Sequence, residues 1–448
     1  MYTPLKKGYG IFAAAGLLLG TFNIDATPPL GSPVAYALTR SIQDRLSARG
    51  VVISGSGQPI VLCAVDWIGI GNDAHDAWRE ALAKAAGTTS DRVAVHTLHQ
   101  HDAPRCDFAA EELLTAQGLG GRFMDAAFAR DVIRRTASAV AEAAKNGRPL
   151  THIGTGKALV DRVASNRHIF GADGMVAMMR WSNSQNAKAI AAPEGTIDPE
   201  VQIISFWNEE TPLAAVSYYA THPQSYYGQG DVTAEFVGLA RAEREKALPG
   251  VCQVHFNGAG GNIAAGKYND GSPQMRPELA RRLADGMKRA WEATDRFPVS
   301  ADDIGWEVQA VSLPANERLK EATLLAELDD PSMTERKRLG AALSLSWLNW
   351  IRQGGRIDIS CLHLGRRVHI LHLPGELFVD YQLYARGLCP HDTVCMAAYG
   401  AHGPSYIGTA DAYSRGGYEI GVSKVGPQSE RILKEAISYL LLKGRAKP

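Results

Sequence analysis

The chain has 448 residues, with 47 Lys+Arg against 47 Asp+Glu and therefore no formal net charge. That balance excludes a protein held to nucleic acid by a basic excess, because such binding runs on counterion release at neutralised phosphates, and it excludes an acidic solvating tail. With 45% apolar and 21% charged residues the chain is globular rather than disordered.

Lys6 and Lys7 precede an apolar run over 10–22. The run is shorter than the roughly 20 residues of a membrane span. It has the length of a signal-peptide core, but no small-residue cleavage site clearly follows it. Residues 17–25 read as a first strand, closed by Thr27-Pro28-Pro29. The expectation is a soluble chain with a short leader, cytoplasmic in preference to exported. Residues 59–66 are a short apolar run ending in an acid. Residues 74–86 put Trp78, Leu82 and Ala85 on one helical face. Residues 92–98 alternate as a strand, and 123–145 form a long amphipathic helix stopped by Asn146-Gly147. A strand over 150–160 is followed by a hairpin of 203–206 with 213–219. Residues 251–256 are a buried strand before a glycine-rich loop, and 277–293 are helical. A strand over 306–313 precedes a polar, outlying helix over 316–328. A second hairpin joins 356–364 to 367–373 across Gly365-Arg366, and helices over 376–387 and 431–442 close the chain. Strands alternating with helices predict an α/β fold, and the hairpins predict a mixed β-sheet core with flanking helices. One compact catalytic domain over 1–448 is expected, with a helical insertion at 315–350 and no legible internal repeat.

None of the six cysteines forms a CxxC pair, which disfavours a thiolate zinc knuckle. Cys63 and Cys252 lie in apolar runs and read as buried thiols, while Cys389 and Cys395 are placed to pair only in an exported protein.

Five clusters carry chemistry. His96, His99, His101 and Asp102 lie in HTLHQHDAP. On an extended strand His99 and His101 share a face, and imidazole is a common zinc ligand; a hydrogen-bonded histidine pair at a sheet rim accounts for the spacing equally well. His222-Pro223 follows a strand, where sheet enzymes collect ligands. The loop Asn257-Gly258-Ala259-Gly260-Gly261-Asn262 allows a close backbone approach or an anion nest, and fits neither a P-loop nor a dinucleotide fingerprint. Glu376 in Leu373-Pro374-Gly375-Glu376 suits a metal ligand or base, or a first-turn acid on a helix dipole. Tyr406, Tyr413 and Tyr418 stand in a polar, glycine-rich loop. No G-x-S-x-G, HExxH, EF-hand or kinase set occurs.

Taken in order, these pieces resemble the neutral ceramidase family of zinc-dependent amide hydrolases. Ile24-Asp25-Ala26-Thr27-Pro28-Pro29 is similar to its first strand and loop. Leu46 to Gly50 resembles its L-x-A-R-A entry, and Asp66 its acid after a buried strand. His99-Gln100-His101-Asp102-Ala103-Pro104 stands where the family has T-H-T-H-S-G-P. Asn166-Arg167, His222-Pro223, Pro374-Gly375-Glu376 and Tyr406 to Thr409 with Tyr418-Glu419 resemble its remaining motifs. The likeness runs roughly from Phe22 to Glu419. It implies one Zn2+ held by His99, His222, Glu376 and Tyr406. His101, Arg167 and Tyr418 would then stabilise an oxyanion or carry a proton during attack of water on an amide.

The family's serine after the glycine loop is replaced by Ala264-Ala265, its Ser-Gly by Asp102-Ala103, and no immunoglobulin-like domain is expected after Tyr418. Polar loops suit a substrate smaller and more polar than ceramide, with Asp102, Asn257 and Asn262 as its contacts. The expected partner is a small molecule, not nucleic acid. A zinc-dependent esterase, a carbohydrate-active lyase or hydrolase, and a silent binding protein stay open as alternatives.

Overall fold

The computed structural model describes residues 16–442; the leader expected before the first strand lies largely outside them. Three strands open the chain: β1 (Leu18–Asp25), β2 (Ser47–Ser54) and β3 (Ile60–Val65) pair antiparallel in sequence order. Helix α1 (Asn72–Ala86) returns the chain, and β4 (Val93–Thr97) joins β3 in parallel. Such a parallel pair needs a crossover of this length. Helices α2 (Phe108–Ala116) and α3 (Ala126–Lys145) follow, each started by an aspartate cap, Asp107 or Asp125.

The same steps then recur. β5 (His152–Leu159), β6 (Glu200–Asn208) and β7 (Thr211–Tyr219) pair antiparallel; α4 (Glu235–Ala247) leads to β8 (Cys252–Asn257), parallel to β7, and α5 (Met275–Glu292) packs beside α4. In the third unit β9 (Ile304–Val311) is followed by a helical hairpin of α6 (Glu321–Asp329) and α7 (Glu335–Arg352). β10 (Ile357–Leu364) then pairs antiparallel with β9, and β11 (Val368–His372) antiparallel with β10. Helix α8 (Val379–Leu388) leads to β12 (Thr393–Ala397), parallel to β11, and α9 (Ser429–Leu442) ends the described chain. The mixed α/β architecture is as expected. The threefold repetition of topology is not legible in the sequence, because no residue motif repeats with it.

Strand alternation sets the layers. Ile60, Leu62 and Ala64 of β3, Ala214, Val216 and Tyr218 of β7, and Val368 and Ile370 of β11 join one central core shared by all three sheets. The alternate residues face outward against helices: Val61, Cys63 and Val65 against α1, α2 and α3, Ala215 and Tyr219 against α4 and α5, Leu371 and Met396 against α8 and α9. Each buried Val, Leu, Ile or Phe contributes roughly 1.5–3 kcal/mol, so the inward stripe fixes the register of every strand.

Four expectations change. Glu376 does not begin a helix; Glu376–Leu377 is a two-residue strand parallel to Tyr406–Ile407, and α8 starts at Val379. Gly375, at φ 56°, turns the chain there, and the Val379 amide is capped by Asn262 Oδ1 at 2.9 Å. The helix expected from 316 begins at Glu321, because Asn316 accepts from the Arg318 amide and holds a turn. Nor does that helix lie free outside: Leu324 and Leu328 are buried in the first core. Helices α2 and α4 were not foreseen, while α7 falls in the helical insertion expected at 315–350. All six cysteines are unpaired, Cys63 buried and Cys252 only partly so. Among the described residues no helix is long and apolar enough to cross a membrane.

Candidate metal centre

The parallel strand pairs of the three units meet side by side. Asn257, at the end of β8, accepts from the Ala398 amide at 2.9 Å and donates through Nδ2 to Leu98 O at 2.6 Å. The Thr97 amide donates to Tyr399 O at 2.9 Å, and His96 Nδ1 to Ala398 O at 2.8 Å. The loops leaving β4, β7 and β11 therefore open onto one place at the carboxyl ends of the strands, where sheet proteins place ligands. They carry His99, His222 and Glu376.

His99 is not on the strand. It follows β4 at φ 61°, so the shared face expected of His99 and His101 does not exist. A turn brings them together instead, with Nε2 atoms 3.3 Å apart. His99 Nδ1 lies 2.6 Å from Ile68 O, and His222 Nδ1 lies 2.6 Å from Gly260 O and 3.1 Å from Ile263 O. A carbonyl only accepts, so both Nδ1 atoms carry the proton and both Nε2 atoms of the neutral rings present lone pairs. A carbonyl on the far ring nitrogen is what orients metal-ligating histidine. Both Nε2 atoms stand 3.1 Å from Glu376 Oε2. His99, His222 and Glu376 are buried, and their ligand atoms lie within 4.8 Å of one another. Three lone pairs facing one point repel unless a proton or cation lies among them, so the donor set fits a divalent cation of zinc type. Burial alone would raise the Glu376 carboxyl, but a proton shared with the Nε2 atoms of His99 and His222 outweighs it and holds the carboxyl well below the usual range; a bound cation takes that proton's place. Burial pushes His222 and His101 down, His101 further through its neighbours His99 and His222.

The other expected residues gather around this point. Tyr406 Oη is 3.2 Å from His222 Nε2 and accepts from Arg167 Nη1 at 3.1 Å. Burial and the Glu376 charge push the Tyr406 phenol well above its ordinary value. Arg167 is held by buried Glu419, Nε to Oε1 3.1 Å, and Glu419 Oε2 also meets His168 Nε2 at 2.8 Å. Burial opposes the Arg167 charge, but Tyr406 and Glu419 prevail and raise its pKa. Tyr418 is 40% exposed, edge-on to Tyr406 with centroids 6.0 Å apart and 5.7 Å from the Arg167 guanidinium. His101 Nε2 accepts from Gln224 Nε2 at 2.5 Å, which leaves the proton on Nδ1, a buried donor without a partner.

The three residues expected to contact substrate are placed otherwise. Asp102 accepts from the Gly228 and Gly230 amides, Asn257 ties β8 to Leu98, and Asn262 caps α8. Each is buried and braces a loop, and none lines the cavity described next. Asp66 pairs with Arg241 of α4 (Nη1–Oδ1 2.8 Å, Nη2–Oδ2 2.6 Å) and accepts from Ser47.

A cavity of about 530 Å³ reaches His99, His101, Glu376, Tyr406 and Tyr418, within the size range of small-molecule sites. Helices α6 and α7 form its far wall through Leu324, Leu339 and Leu343. His402 and Arg105 were not singled out beforehand, and Glu419 was named only within a motif, without a role. His402 Nε2 is 3.7 Å from Glu376 Oε1, and the strand-end rule that finds His222 also finds it just after β12.

The glycine loop serves close approach. A Cβ on Gly260 would lie 2.9 Å from the Thr221 backbone, and one on Gly261 2.3 Å from Glu376 O. Gly261→Ala is therefore expected to displace the Glu376 strand and weaken metal binding by about 10–100-fold, the usual effect of disturbing a ligand's support. Titration of both proteins with zinc checks this; equal affinities would show that the strand tolerates the shift.

The fold and the ligand cluster define a class: a three-sheet α/β protein whose strand ends converge on a buried two-histidine, one-carboxylate cluster. That fold is the fold of neutral ceramidases. Over 96% of this chain the structure is similar to a ceramidase solved in complex with C2 (TM-score 0.70, 15% identity, 75% of that chain). It is equally similar to a neutral ceramidase from Pseudomonas aeruginosa (TM-score 0.69, 15% identity, 96% of this chain and 74% of that one). No family model matches the sequence, and none of the curated proteins does.

Proposed function

We propose that the chain is a zinc-dependent hydrolase that cleaves an amide (N-acyl) bond, with one catalytic unit, working on a small molecule in the cytoplasm, where six unpaired cysteines stay reduced. The observation that carries this reading is the convergence of His99 Nε2, His222 Nε2 and Glu376 Oε2, each imidazole locked by a backbone carbonyl on its far side. The likeness to ceramidases supports the amide as the bond cut.

His99, His222 and Glu376 would hold the zinc, with Tyr406 as a fourth oxygen ligand. When bound, zinc supplies Lewis-acid polarisation and water ionised near neutral pH. The chain's own residues do the rest. Arg167, fixed by Glu419, hydrogen-bonds Tyr406 Oη and sets its orientation. His101 presents its unpartnered Nδ1–H to a developing oxyanion, with the exposed Tyr418 hydroxyl as a second donor. Donors of this kind are each worth about 10²–10³ in kcat. Hydrolysis of short N-acyl compounds, followed by release of the free amine, tests the reading. Turnover that stops on chelation and returns with zinc is expected. Ester cleavage without amide cleavage, or an unsaturated product, overturns it.

A further inference from the structure

The charges around the cavity are unevenly matched. Its cations are Arg105, Arg318, Lys320, Arg336 and Lys424, and its acids are Asp107, Glu327 and Glu376. The acids are engaged. Glu376 belongs to the ligand cluster, Glu327 pairs with Lys337 at 3.1 Å, and Asp107 accepts from Asn72, Ser346 and the Ala110 amide. Arg318 donates to carbonyls of Ile420 and Gly421.

Arg105 stands apart. It follows the His99–His101 turn, on a two-residue strand parallel to Gly69–Ile70. Among the described residues its guanidinium forms no hydrogen bond or ion pair; it lies over the Tyr36 ring, 5.6 Å from the centroid, and its Nε is shielded from solvent without a partner. A shielded guanidinium N–H without an acceptor is costly, and a planar fork of donors matches a carboxylate. Its positive charge is felt at His101 and His402, beside the ligand cluster. Lys424 stands near it and uses one of its three donors, on Leu343 O at 3.0 Å.

Resting on the hydrolase reading above, we propose that Arg105, with Lys424 behind it, is an anion subsite, and that the substrate is an N-acyl compound bearing a carboxylate within a few bonds of the amide, the chemistry of an N-acyl amino acid. The carboxylate accepts from the Arg105 fork, and the amide then lies toward His101 and Glu376. The apolar wall from Leu324, Leu339 and Leu343 takes the acyl chain.

The test compares N-octanoylglycine with N-octanoylethanolamine, which differ at the carboxylate alone, on zinc-loaded wild type, Arg105→Gln and Arg105→Lys. Wild type is expected to favour the carboxylate by about 10–100-fold in kcat/KM, the worth of a charge-assisted hydrogen-bond pair. In R105Q the ratio falls to near one, and R105K restores part of it. A wild-type ratio near one, or a ratio unchanged in R105Q, overturns the subsite. Calorimetric binding of both compounds to metal-free protein separates this from the hydrolase reading. If neither is cleaved but N-octanoylglycine binds at least tenfold tighter and R105Q abolishes that preference, the hydrolase reading fails and the subsite stands. Equal binding of both compounds removes the subsite even where hydrolysis is found.

Discussion

Glu376→Gln is expected to lose zinc and with it hydrolysis. The carboxylate supplies the only negative charge in the ligand cluster, with Oε2 3.1 Å from each of two imidazole Nε2 atoms. Glutamine removes that charge and adds an N–H that donates to one of the Nε2 lone pairs, so one substitution disables two ligands. Four-ligand zinc sites are worth roughly 10–16 kcal/mol. A quarter of that is about 3 kcal/mol, or on the order of 100-fold in affinity per ligand, and the second ligand deepens the loss. Zinc titration and kcat/KM on an N-acyl substrate check this together. A variant that binds zinc within about threefold of wild type and stays active, far less than the loss of a ligand costs, would remove Glu376 from the site. The fold itself should survive, because the Glu376 strand is held by its backbone, with its amide on Ser405 O.

Arg241→Met carries the largest expected effect on stability. Asp66 is fully buried at the end of β3 and its charge is matched chiefly by the Arg241 fork, with Ser47 as a further donor and the Arg49 charge nearby. Breaking such a pair from one side costs about 3–5 kcal/mol, because the remaining charge is stranded. The sign with pH follows. Burial alone raises the Asp66 carboxyl, but Arg241 outweighs it and the folded pKa lies below the ordinary value. In wild type this pair therefore stabilises above the unfolded value of about 3.9, and that contribution is lost as pH falls through the folded value. In R241M burial acts unopposed by that partner and the carboxyl rises, so the variant gains relative stability on acidification. The gap in thermal midpoint between the two proteins should be widest near neutrality and shrink toward pH 4. A gap below about 1 kcal/mol at neutral pH, the range of an exposed pair, would mean that Asp66 is neutral or solvated.

The sequence carried much of this fold and the main ligands, for identifiable reasons. Strands such as β3 and β7 are continuous apolar runs bounded by turn residues, and α1 and α3 have clear helical stripes, so local pattern sufficed. His222 and Glu376 were visible because each follows a buried strand with a proline within two residues. The threefold topology was hidden because it lives in strand pairing, which periodicity does not encode. The backbone of His99 was misjudged because a left-handed turn, not strand alternation, brings it to His101. Asn257 and Asn262 looked like substrate contacts because polar loop residues near a site invite that reading; their hydrogen bonds to Leu98 and Val379 mark them as braces. Arg105 gave no sequence signal, since a cation without a partner is recognisable only once its surroundings are known.

The central claim is that the strand-end cluster holds one catalytic metal. Metal content of the purified wild type, beside His222→Ala, tests it most directly. The account predicts about one zinc per chain, the stoichiometry of a single catalytic site, and its loss in the variant. Wild type that takes up no stoichiometric zinc when it is supplied, or His222→Ala that keeps it, would contradict the account.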